Sequence, residues 1–460
     1  MSGFITDYLL MFTPLLPGLC VVAMVFSRVH ETRIGERNLF VLYSFSHLIG
    51  IIFFSIFIQL SLLMNLNVFD RDLLLGMLIL LGCSLIYVLF MNRQIMATLG
   101  TIVVCHMAFV LVLAFFWGNQ PVFGWDALKF WMPAAVDLIE VSSQPDSGWE
   151  SAKAFQHRHM ATVPAIYAWS AWVFERLSQQ LLTFNIGFHF AFFLAIFAAY
   201  HWRAVTGKRS FSIFGATALL TLPLMENHVL ISGYAEIWLA CYLAAAATAG
   251  VMYLERSTIS NLLLFVGLTS SIALLKNIGF IFALSLGISM CLIKLKAQQA
   301  ERNINFTRSA TARNLGYTST FILFTALCIT VFNSQGAEYD LAGRVLKLQL
   351  NNPLQVLAFQ ANAFIFNASY SLLFFLFLIS LCLWARERKE CKLNTPQDLL
   401  FFTTISLYLM YSLGQIFTDY IYFYSSLNRD TSGSRLFLPI AALAVMCAPQ
   451  LANIKGIRKL

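Results

Sequence analysis

Charge is scarce in this sequence. Of 460 residues, 30 are basic and 22 acidic, 11% in all, while 59% are hydrophobic and the mean hydropathy is +0.73. Soluble globular domains average about one quarter charged residues, so a soluble globule is excluded. Cysteine occurs nine times but never as a CxxC pair: Cys20, Cys83, Cys105, Cys241, Cys291, Cys328, Cys382, Cys391 and Cys447 are scattered, nearly all inside apolar runs. That pattern suggests neither a disulfide framework nor a zinc site and reads as small packing residues. Walker and dinucleotide glycine motifs, a G-x-S-x-G elbow, tandem repeats and low-complexity segments are missing too, which argues against a soluble nucleotide-driven enzyme. The net charge of +8 is not gathered with exposed aromatics on a soluble face, so no nucleic-acid partner is expected. The first apolar run lacks a basic leader and a small-residue cleavage site, and no cleavable signal peptide is expected.

What the chain has instead is apolar runs of bilayer length. A helix needs about 20 apolar residues to cross the hydrocarbon. Runs at 8–26, 39–64, 73–91, 95–117, 181–200, 211–231, 235–254, 262–276, 278–293, 315–333, 364–384, 397–424 and 436–453 predict an all-α polytopic membrane protein with about 13 transmembrane helices. Basic residues collect at 28–37, 201–210, 294–313, 385–392 and 454–460, read as loops on the cytoplasmic side because such loops carry the Lys and Arg excess. Loops 65–72, 118–160, 334–352 and 425–434, which hold Asp70, Asp126, Asp146, Glu338, Asp340 and Asp430, then face outward. The run 161–174 is too short to cross and would reverse this parity; it reads as a helix in the outer interface, with Tyr167, Trp169 and Trp172 at headgroup level.

Ionisable residues at or near membrane depth usually mark function. Several fall at the predicted outer ends of different spans: Asp126 and Lys129 in FGWDALKFWMP, His157, Arg158 and His159 in QHRHMATVP, and Glu226, His228 and Glu236 in MENHVLISGYAE. Lys276 and Asn277 follow in LLKNIGF, then Asp419, and finally Arg429, Asp430 and Arg435 in SSLNRDTSGSRLFLP. Each has a plainer reading. Asp126 fits an N-cap for ALKFWMPAA, the histidines fit satisfied interfacial groups, Glu226 and Glu236 fit solvated acids, and Arg429 and Arg435 fit headgroup anchors. Lys276 has fewer alternatives, because a lysine breaking a long apolar stretch must snorkel, pair or bind an anion.

The order GWDALKFW, HRHMATVPAIYAW, GYAE, ALLKNIGF, RLFLP across residues 95–450 resembles the GT-C superfamily of polyprenyl-phosphate-dependent glycosyltransferases, which includes protein O-mannosyltransferases and the aminoarabinose transferases of lipid A. The resemblance implies a GT-C-like catalytic core over 95–460 with an exoplasmic loop of interfacial helices at 118–160, preceded by accessory spans in 1–94. It also implies a site facing the periplasm or exterior, most simply of a bacterial inner membrane. The chain departs from the pattern at Glu236, where bacterial relatives carry Asp, and at Ile278, where they carry Glu.

The chemistry suits the residue types on its own. Glycosyl transfer from a lipid phosphate needs a carboxylate to deprotonate the attacking hydroxyl and cations to hold the departing phosphate. Asp126 is the candidate base, implying inversion, and Lys276, Arg435 and Arg429 are candidates for the phosphate. Trp125, Lys129, His157, His159, Glu226, His228, Glu236 and Asn277 are candidates for lining the pocket. Trp125 and Trp131 offer faces for a sugar or isoprenoid, and the Phe-rich stretch 364–378 offers a groove for the lipid tail. No cofactor is required, although Asp126, Glu226 and the histidines could bind a divalent metal. The implied partners are a polyprenyl-phosphate-linked sugar, a glycan, lipid or protein acceptor, and membrane lipid. A cell-surface glycan polymerase or ligase stays open, though it would place a large Arg-bearing loop late in the chain. A secondary transporter would place ionisable groups near the midplane, on broken helices in two related halves.

Overall fold

A bilayer offers the backbone no hydrogen-bonding partners, so apolar runs satisfy their own N–H and C=O groups as helices. The computed structural model describes residues 14, 15, 17–22, 36–63, 82, 93–117, 131–142, 162–173, 186–223, 225, 235–276, 278–302, 351–361, 370, 372–388, 396–417 and 437–453, and among these it is all-helical, without strands. In chain order the helices are α1 (Glu36–Leu63), α2 (Arg93–Trp117), α3 (Met132–Ser142), α4 (Thr162–Val173), α5 (Ile186–Thr206), α6 (Arg209–Leu220) and α7 (Ala235–Glu255). They continue as α8 (Ile259–Ala273), α9 (Gly279–Arg302), α10 (Pro353–Gln360), α11 (Leu373–Arg388), α12 (Pro396–Phe417) and α13 (Leu438–Cys447), the last running into a 3-10 turn at Ala448–Asn453.

Among the described residues, four stretches are long and apolar enough to cross a membrane: Leu39–Ser61, Leu99–Phe116, Ile186–Thr206 and Ala235–Glu255. They match the expected runs at 39–64, 95–117, 181–200 and 235–254. The expected spans at 73–91, apart from residue 82, and at 315–333, with much of 8–26, lie outside the described residues. Shorter apolar helices include those at Ile259–Ala273 and Gly279–Leu295.

Three expectations change. The segments 201–210, 294–313 and 385–392 are not simply loops: α5 continues through His201 and Trp202 to Thr206, α9 to Arg302 and α11 to Arg388. Between α5 and α6 only Gly207 and Lys208 remain, and Gly207, at φ 73°, donates its N–H to the Arg203 carbonyl, a left-handed helix stop that glycine adopts without a Cβ clash. The run 211–231 is interrupted at Thr221, because Pro223 has no N–H to donate and disfavours helix at the residue before it. Finally, the helix over 161–174 forms as α4, but Tyr167 and Trp169 are 1% and 3% exposed. Their rings pack against protein and are not headgroup anchors, since α4 lies against α1 and α3. The Phe54 and Trp169 rings meet edge to face at 4.8 Å, and Ser55 Oγ donates to the Thr162 carbonyl at 3.3 Å.

The chain divides into two compact units. One comprises 1–196, 227–238 and 336–338, and the other 197–226, 239–335 and 339–460. In the first, α2 is peripheral: only 22% of its apolar window is buried, and Val104, Val112, Phe115 and Phe116 are exposed. Exposed apolar surface of this kind suits lipid and not water. In the second, the α7 run Ala244–Ala247 is fully buried, and a Cβ at Gly250 would meet side chains of Phe265, Met290 and Leu399 from α8, α9 and α12. Small residues let these helices approach closely, as is usual where packing and not water drives association. Ser285 to Ser406 at 2.8 Å joins α9 to α12, and the indole of Trp384 donates to Asp398 at 2.8 Å, joining α11 to α12.

Candidate functional site

Of the candidate site residues, Glu236 and Lys276 are described; Trp125, Asp126, Lys129, His157, His159, Glu226, His228, Asn277, Arg429 and Arg435 lie outside the described residues. Asp419 does as well.

Lys276 stands at the tip of a helical hairpin. Helix α8 ends at Ala273, where Leu274 and Leu275 donate to the Ser271 and Ile272 carbonyls in the tighter turn common at helix ends. Gly279 N–H donates to the Lys276 carbonyl at 2.7 Å, and α9 returns from there. Glycine is required at 279 because a Cβ would collide with the Ile272 carbonyl oxygen; the two helices approach backbone to backbone at this turn. Lys276 is half-buried, a placement that suits a lysine whose stem packs on apolar surface while its ammonium reaches a polar partner. Such a tip is what the charged break in LLKNIGF implied.

Glu236 is buried at 2% exposure in the first turn of α7, not in a solvated turn as its alternative reading had it. A carboxylate there gains from the positive end of the helix dipole. Trp131, expected to offer a face to a sugar, is 2% exposed at the start of α3 and so is packed into protein. On α3 itself, burial and then the neighbouring Glu140 raise the pKa of Asp137 from its ordinary value.

Leu372, Phe375, Leu376 and Ile379 at and along α11 are exposed, so the described part of the Phe-rich stretch presents an apolar surface. Among the described residues, no three His, Cys, Asp or Glu side chains come together in a way that could hold a metal ion.

A second polar constellation, unmarked by the sequence reading, lies in the first unit. Tyr43 Oη and His106 Nδ1 are 2.8 Å apart, and His106 Nε2 and His189 Nδ1 are 3.1 Å apart. His47 stands edge-on to both, with ring centroids 4.8 Å from Tyr43 and 5.3 Å from His106. These four side chains come from α1, α2 and α5 and none is more than 3% exposed. The signal was a lone histidine in each of three apolar runs, SFSHLIG, VVCHMAF and IGFHFAF, which by the cost of intramembrane polar groups could have been grouped.

No protein-family model matches the chain, and no match was found among curated proteins or solved structures.

Proposed function

We propose that the chain is a membrane glycosyltransferase that moves a sugar from a polyprenyl-phosphate donor to an acceptor hydroxyl at the outer face of the membrane. In this reading the acceptor oxygen attacks the anomeric carbon as the bond from that carbon to the phosphate oxygen breaks. The hydroxyl proton passes to Asp126, and the polyprenyl phosphate leaves with inverted configuration at the sugar. Lys276 and Arg435, assisted by Arg429, hold the departing phosphate. Trp125, Lys129, His157, His159, Glu226, His228, Glu236 and Asn277 line the pocket. The lipid tail runs over apolar surface such as the exposed face of Phe375, Leu376 and Ile379.

The observation that carries the reading is the half-buried Lys276 at the turn between α8 and α9. A cation on a short turn between two apolar helices meets an anionic headgroup while its lipid chain stays among the helices. Membranes holding the full chain, incubated with a radiolabelled polyprenyl-phosphate sugar, should transfer label to acceptor, and Asp126→Asn should abolish transfer while the protein stays folded. Undiminished transfer by that variant would sink the mechanism.

A further inference from the structure

The transferase chemistry leaves the Tyr43, His47, His106 and His189 cluster unused. We propose that Tyr43, His106 and His189 form an intramembrane proton relay, an activity separate from glycosyl transfer and independent of it.

The argument begins with position. His47 and His106 lie about 12 Å and about 10 Å along their helices from the start of the apolar windows at Leu39 and Leu99, at the α-helical rise per residue. Imidazoles in such runs are costly unless hydrogen-bonded. A buried polar side chain can be satisfied within its own helix, as Ser46 is by the Leu42 carbonyl. Here three helices each supply an imidazole, and the His106 ring is engaged at both nitrogens.

That double engagement makes a conductor. A neutral imidazole carries one N–H and one lone pair, so the chain closes in two arrangements. In the first, Tyr43 O–H donates to His106 Nδ1, and His106 Nε2–H donates to His189 Nδ1, leaving the His189 proton on Nε2. In the second, every donor is reversed. A proton arriving at the Tyr43 oxygen sends the hydroxyl proton to His106 Nδ1, the His106 Nε2 proton to His189 Nδ1, and the His189 Nε2 proton outward. One proton enters and one leaves, an O–H or N–H bond forms at each residue as another breaks, and no electron changes owner. Ring reorientation restores the first arrangement.

The surroundings suit the task. Phe192 stacks on His106 with centroids 4.4 Å apart and planes at 15°, and Phe193 packs at 5.2 Å from His106 and 5.0 Å from His47. These rings exclude competing water, and the Phe192 face favours the imidazolium that forms when a proton dwells on His106. Among the described residues, titratable groups facing the path include Tyr43 and His47 from α1, His106 from α2 and His189 from α5. His47, edge-on to both Tyr43 and His106, gives the path a flank of the same chemistry.

The test uses the full chain reconstituted into phosphatidylcholine and phosphatidylglycerol vesicles enclosing a pH-sensitive dye. A potassium diffusion potential set by valinomycin drives proton entry. The wild-type chain should conduct faster than protein-free vesicles. His106→Gln should fall to the protein-free rate, because the amide can accept from Tyr43 and donate to His189, keeping both bonds, yet cannot hand a proton on. A wild-type rate no higher than that of protein-free vesicles overturns the proposal, as does a folded His106→Gln chain that conducts like wild type. If His106→Gln fails to fold, Tyr43→Phe decides: loss of conduction supports the relay and retained conduction overturns it.

Discussion

His106 Nε2 stands 3.1 Å from His189 Nδ1, so two imidazoles from helices 83 residues apart in sequence meet in a buried hydrogen bond. The same His106 ring meets Tyr43 through its other nitrogen at 2.8 Å, and α1, α2 and α5 are thereby tied together by side chains alone.

Removing one end of that tie should be felt in stability. Tyr43→Phe leaves His106 Nδ1 without its tyrosine hydroxyl and is expected to destabilise the chain by about 0.5–2 kcal/mol, the scale of a hydrogen bond between helices in a membrane. Thermal unfolding in detergent measures it; an unchanged melting temperature would show that the pair contributes nothing.

The α8–α9 hairpin supplies a matched pair of glycine substitutions. At Gly279 a new Cβ meets the Ile272 carbonyl, whereas at Gly267, inside α8, it meets nothing within 4 Å. Gly279→Ala should therefore destabilise by about 1–3 kcal/mol through overpacking. Gly267→Ala should be neutral or stabilise by up to about 1 kcal/mol through helix propensity. Equal effects in unfolding experiments would contradict the close approach at the turn.

Lys276 is half-buried at that turn, and on the proposed transferase reading removing its charge should weaken donor use beyond any effect on stability, which thermal unfolding of the same variant measures. Losing one charge-assisted contact of about 1.5–3 kcal/mol predicts a fall on the order of 10–100-fold in kcat/KM for Lys276→Met. Lys276→Arg should retain part of the activity. Unaltered kinetics in the Met variant would remove Lys276 from the phosphate site.

Asp137 gives a pH signature. Burial first and Glu140 second raise its pKa in the folded chain, so the folded state binds its proton more readily than the unfolded state. Stability from this group is present below the unfolded pKa of about 3.9 and is lost as pH rises through the raised folded value. Asp137→Asn should accordingly melt higher than wild type at neutral pH, with the two converging as pH falls into the carboxylate range. A gap that widens toward acid pH would reverse the assignment.

Cysteine chemistry tests which faces meet lipid. Cys105 on α2 and Cys382 on α11 are exposed, while Cys241 and Cys447 are buried. In native membranes a lipid-partitioned diazirine, converted by light to a carbene that needs no thiolate, should label the first two and spare the others. Labelling of Cys241 in the folded chain would contradict the central position of α7 in its unit.

Hydropathy is a property of consecutive residues, which is why the span at 235–254 could be read so closely to the helix Ala235–Glu255. Lys276 was legible for the same reason, a charge interrupting an apolar run, and a turn duly forms there. Helix ends were less legible. In HWRAVTGKRS the basic residues suggested a loop, yet backbone hydrogen bonding continues until Gly207 can take up its left-handed conformation. The break before Pro223 had a sequence signal in the proline itself, which hydropathy alone passes over.

By itself the sequence determined an all-helical, lipid-compatible chain, because apolar length and scarce charge act on each segment without reference to the others. Only the tertiary structure decided which side chains meet. Trp131, Tyr167 and Trp169 look like interfacial aromatics along the chain but are interior, and His47, His106 and His189 look like isolated polar residues but lie within one cluster. Those outcomes depend on the rotation and contact of helices far apart in sequence, set by packing across their faces, and packing leaves no periodic trace within any one of them.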